Sequence, residues 1–97
     1  MIKDKYLQII KSKVNKFNKD NDIKFFVFGS SLIKEHFGDI DLGVMGDIRD
    51  RDLSSLKEGF VNSTFPYFVD IINFNKVSDE FKNNIFNNKN KILWIIH

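Results

Sequence analysis

Two carboxylates at alternate positions of an apolar run, Asp39 and Asp41 in Gly38-Asp39-Ile40-Asp41-Leu42, are the residues of this chain best suited to chemistry. Alternation along a strand puts Asp39 and Asp41 on one face and Ile40, Leu42 and Val44 on the other. Side chains two apart on a strand start about 6.5–7 Å from one another. From that spacing both can reach a pair of Mg²⁺ ions about 3.5–4 Å apart. Upstream stands a small, hydroxyl-rich turn, Gly29-Ser30-Ser31. Gly29 would let backbone approach a phosphate closely, while the N–H groups and hydroxyls of Ser30 and Ser31 bind its oxygens. A third carboxylate, Asp70, interrupts the apolar run Phe68-Val69-Asp70-Ile71-Ile72. Phe68, Asp70 and Ile72 share a strand face, so Asp70 is either buried or turned toward a cleft. Coordination to a metal would remove most of the cost of an unpaired buried carboxylate; a salt bridge to a lysine is the alternative.

Competing readings of the acidic pair do less well. A helix–loop–helix calcium loop needs an oxygen donor at its fifth position and glycine at its sixth, where this chain has Gly43 and Val44. A turn at Gly38-Asp39 leaves Asp41 unexplained, and a pair of exposed edge-strand carboxylates is the remaining alternative. The glycine turn is not a Walker loop, because no Gly-Lys-Ser/Thr follows.

These residues need a scaffold, and the periodicities supply one. Leu7, Ile10, Val14 and Phe17 recur at helical spacing, predicting an amphipathic helix over 3–19, ended by Asn18, Asp20, Asn21 and Asp22. Ile23 to Phe28 predicts a strand buried on both faces. Ser30 to Phe37 predicts a loop or single helical turn, and Asp39 to Met45 a second strand. Asp52 or Ser54 predicts the cap of a second helix, with a capping box at Ser55-Leu56-Lys57-Glu58 and an apolar face of Leu53, Leu56, Phe60 and Val61. Pro66 opens a strand over Tyr67 to Phe74. Ser78 caps a last helix with Phe81, Ile85 and Phe86 inward, and Ile92 to Ile96 forms a buried extended segment. The order is α/β, with a small mixed β-sheet flanked by helices, in one domain over 1–97.

Composition narrows the function classes. With 97 residues, 42% of them hydrophobic, and 11 Phe, the chain can bury a core. The absence of cysteine excludes disulfides, thiol nucleophiles and cysteine-based zinc sites, and predicts a cytoplasmic setting. The start lacks the apolar core of a signal peptide, and the longest uncharged apolar run, Ile92 to Ile96, is too short for a bilayer. A net charge of +2 makes no argument for nucleic acid, and no direct nucleic-acid binding is expected. Residues 39–52 hold five Asp against Arg49 and Arg51, a local surplus that favours a cation site. The Lys/Asn stretch from Lys82 to Lys91 predicts a solvated helix face, with a basic strip for RNA or an acidic partner as the alternative.

Phe-Gly-Ser-Ser, Gly-Asp-Ile-Asp-Leu-Gly-Val and Val-Asp-Ile-Ile, in that order on three successive strands, resemble the polymerase-β-like nucleotidyltransferase superfamily. Chain length and layout are similar to its minimal nucleotidyltransferase (MNT) domains. The resemblance implies that Asp39 and Asp41 bind metal on the catalytic strand. It implies too that Asp70 is the third metal or base carboxylate, and that Gly29, Ser30 and Ser31 form the phosphate-binding turn, with Lys34 the one cation of the following loop. It also implies two Mg²⁺ ions (Mn²⁺ as a substitute), ATP as substrate, and a HEPN-domain ribonuclease toxin as partner and acceptor. The implied reaction is transfer of AMP to a Tyr hydroxyl of that toxin, with this chain as antitoxin. One departure is visible. Eight residues, Ser31 to Gly38, intervene where the family often has ten, which bears on γ-phosphate recognition and nucleotide choice and leaves open the alternative of an antitoxin that blocks its toxin by binding alone. Transfer to a small molecule such as an aminoglycoside usually needs an added acceptor-binding domain.

Overall fold

A computed structural model describes residues 2–17, 22–36, 38–87 and 92–96, with residue 96 described through its backbone only. Four strands form one mixed sheet in the order β3-β2-β1-β4, where β1 is Lys24–Phe28, β2 Asp39–Met45, β3 Phe68–Asn73 and β4 Ile92–Ile96. β1 runs antiparallel to both β2 and β4, and β2 runs parallel to β3. A parallel pair requires a crossover, and helix α2 (Asp50–Val61) lies between β2 and β3 in the chain. Helix α1 (Asp4–Asn15) precedes β1, and α3 (Asp79–Phe86) separates β3 from β4.

The period-2 pattern sorts the strand residues into two cores. On one face Phe25, Val27, Ile40, Leu42, Val44, Val69 and Ile71 meet Ile10 and Val14 of α1 and Leu56 and Phe60 of α2. On the other, Phe26, Phe28 and Phe74 pack with Ile85 and Phe86 of α3. Phe26 lies flat over Gly43, its register partner, where any Cβ would overlap the ring. β1 is therefore buried on both faces, as its apolar run predicts.

Several boundaries differ from expectation. Helix α1 stops at Asn15, and Asn18, Asp20 and Asn21 lie outside the described residues, as do Phe37 and the end of the Lys/Asn stretch. Helix α2 begins at Asp50, with Arg49 at its N-cap making no side-chain cap, so Ser55 and Glu58 sit inside the helix. Asp50 and Asp52 in the first turn stabilise that start by their charge. Val61 is exposed instead of inward. Tyr67 and Phe74 flank β3 outside its pairing. Ser78 does cap α3, accepting from the Phe81 backbone N–H at 3.1 Å. β4 is an edge strand with Leu93 and Trp94 partly exposed, so the closing segment is not fully buried. The reason is that β4 has a strand neighbour on one side only.

Candidate active site

The face that carries α3 is left open at one end of the sheet, where β1 finishes and β2 and β3 begin. Register decides what stands there. Asp41 pairs with Phe28 on β1 and with Asp70 on β3, and Asp39 pairs with Phe68. Paired residues of adjacent strands share a face, so Asp39, Asp41, Asp70 and Phe68 form one corner, walled inward by Phe28 and Phe74. The register thus brings the backbones of Asp39, Asp41 and Asp70 to one end of the sheet.

Their environments differ. Asp39 and Asp70 are exposed and Asp41 is half-buried. Burial, then the charge of Asp70, then that of Asp39, holds the Asp41 carboxyl above its ordinary value of 3.8. None of the three carboxylates joins an ion pair among the described residues, so the lysine salt bridge considered for Asp70 does not form. Three carboxylates thus share one corner at the level of the backbone. They are near enough for Asp41 to feel both neighbours. Even so, no three Asp, Glu or His side chains among the described residues close around a single point as a complete ion cage.

The turn after β1 shapes the other wall. Gly29 adopts φ +84°, ψ −155°, a region open essentially to glycine alone. A Cβ there would lie 2.5 Å from Asp41 Oδ2, so the missing side chain makes room for the carboxylate. Ser30, Ser31 and Leu32 then form a single 3₁₀ turn. Ser30 is half-buried beside the corner, whereas Ser31 has no exposure and its Oγ finds no hydrogen-bond partner. The Ser31 hydroxyl therefore does not stand in the open corner. Its carbonyl accepts from the Ile2 backbone N–H at 2.7 Å, which ties the turn to the start of the chain. Lys34 is exposed on the following loop, its own N–H donating to the Ser30 carbonyl at 2.8 Å.

Phe68, assigned no role from the sequence, is the feature sequence reasoning missed. It is 61% exposed beside Asp39 and Asp70. Alternation with Asp70 and Ile72 is the signal that could have found it.

This combination of sheet, glycine turn and acidic pair defines a nucleotidyl-transferring class of domain. The chain belongs to the nucleotidyltransferase domain family, whose sequence profile matches residues 4–92. Its fold is similar to those of three solved structures. One is similar at a TM-score of 0.59 and 18% identity, covering 92% of this chain and 71% of the other; it holds a tri-AMPylated Shewanella oneidensis HEPN toxin in complex with MNT antitoxin. A second structure from Shewanella oneidensis is similar at a TM-score of 0.58 and 14% identity, covering 91% and 70% of the two chains. A third, a toxin-antitoxin with AMP-PNP, is similar at a TM-score of 0.58 and 17% identity, covering 88% and 71%. No curated protein matches the chain significantly. At these identities the structural likeness establishes the fold.

Proposed function

We propose that this chain transfers AMP from ATP to a hydroxyl, that of a tyrosine, on a HEPN-domain toxin, and thereby acts as its antitoxin. The observation that carries the reading is the seat of Asp41, tucked against the bare backbone of Gly29 and paired in register with Asp70, its carboxyl held above the ordinary value by burial and by the charges of Asp70 and Asp39. Such a corner is costly to keep unless positive charge is recruited to it. The HEPN toxin held in one of the similar structures supports the choice of partner, and the AMP-PNP held in another supports the choice of nucleotide.

Asp39, Asp41 and Asp70 offer the hard oxygen donors that Mg²⁺ prefers. Among the described residues no complete cage forms from side chains, so an ion held by these carboxylates would draw its other ligands from triphosphate oxygens and water. Bound there, Mg²⁺ would neutralise developing charge on the triphosphate and acidify the acceptor hydroxyl. Asp39 and Asp41 bind on the triphosphate side. Gly29 and Ser30 hold the departing pyrophosphate through backbone N–H groups and the Ser30 hydroxyl, and Lys34 adds charge from the loop. The acceptor oxygen bonds to the α-phosphorus as the bond to the β-phosphate oxygen breaks, and Asp70 takes the acceptor proton. Positioning and charge account for the rate rather than a covalent enzyme intermediate.

A binding-only antitoxin is the second reading, favoured by the short Ser31–Gly38 loop and the buried Ser31 hydroxyl. Labelled ATP separates the two. The enzyme reading expects label on the toxin and little on free tyrosine or sugars; binding without label supports the alternative.

A further inference from the structure

In an in-line displacement the attacking and leaving oxygens occupy opposite sides of the phosphorus. On the reading above, the leaving pyrophosphate belongs to the Gly29-Ser30 turn at the end of β1. The sheet order β3-β2-β1 places that turn on one side of Asp41 and Asp70 on the other. The acceptor must therefore arrive over β3. β3 is an edge strand, and the residue that faces this approach is Phe68.

Phe68 is unusual for an aromatic in this molecule. Phe26, Phe28, Phe74 and Phe86 stand on the same side of the sheet and pack with one another beneath α3. Phe68 belongs to neither core cluster and is 61% exposed. Two residues along the same strand face lies Asp70, and directly across the parallel pairing lies Asp39. A rigid apolar ring held mostly open beside two carboxylates suits an incoming chain that must bring one hydroxyl to a fixed place.

We propose that Phe68 is the acceptor-side anchor: it packs against an apolar side chain of the partner polypeptide and so positions that partner's hydroxyl at Asp70. This rests on the transfer reading and adds the residue that selects and orients the acceptor. The chemistry defines the occupant as a polypeptide with an apolar or aromatic residue next to the hydroxyl. A nucleobase stacked on the same ring is the outcome that would count against it.

The test compares the parent chain with Phe68→Ala and Phe68→Leu, using a HEPN-domain toxin as acceptor. Toxin affinity is measured by calorimetry, and transfer is followed while ATP and toxin are varied separately. Phe68→Ala should weaken toxin binding and raise KM for toxin by about tenfold. KM for ATP and the melting temperature should stay put, and Phe68→Leu should recover part of the loss. Unchanged toxin affinity and KM overturn the proposal, as does a rise confined to KM for ATP. The binding arm keeps the two claims apart. If the parent transfers nothing, the transfer reading fails, while weaker toxin binding by Phe68→Ala still supports the anchor and equal binding rejects it.

Discussion

Asp41 is where the physics of the corner concentrates. Its folded-state pKa lies above the unfolded value, so ionisation opposes folding. That penalty is absent below the unfolded pKa, grows as pH rises through the folded pKa and is complete above it. Asp41→Asn should therefore melt with the parent near pH 3 and at an equal or higher temperature near pH 7. Thermal melts across that range check it; a variant less stable at neutral pH would contradict the electrostatic account. Mg²⁺ should raise the melting temperature of the parent and leave an Asp39→Asn/Asp41→Asn double variant unmoved, because only a site that binds the ion gains stability from it. Gly29→Ala should destabilise by about 1–3 kcal/mol from its backbone region alone. It should also lose activity, since the new Cβ would lie 2.5 Å from Asp41 Oδ2.

The elements explain why some of this was legible and some was not. Strong signals survived: the β1 apolar run, the Asp39–Asp41 alternation and the Ser78 cap each follow from local chemistry and each stands in the fold. Ser78→Ala should cost about 1 kcal/mol, read from a denaturant melt. The start of α2 was missed because several residues could cap it, and the helix instead begins at an uncapped Arg49 with acidic residues in its first turn. The fate of Ser31 depends on the chain's first residues folding back over the turn, a long-range contact that no local pattern encodes. The exposure of Phe68 likewise depends on what packs over its end of the sheet face, which no local pattern encodes. Gly43 shows a further tertiary demand. Gly43→Ala should push Phe26 from its seat and destabilise by about 1–3 kcal/mol, measurable in the same melts.

At the scale of the molecule, a mainly aliphatic core on one face and an aromatic core on the other hold a sheet whose open corner gathers negative charge on a chain of net charge +2. No helix among the described residues is long and apolar enough to cross a membrane. On the proposed function, a docked partner would bring the hydroxyl to this corner and fix its orientation. The decisive measurement is the intact mass of a HEPN-domain toxin after incubation with this chain, ATP and Mg²⁺, beside a parallel incubation with the Asp39→Asn/Asp41→Asn variant. The account predicts that the toxin gains whole adenylate increments with the parent and none with the variant. A toxin that binds the parent chain and keeps its unmodified mass would contradict it.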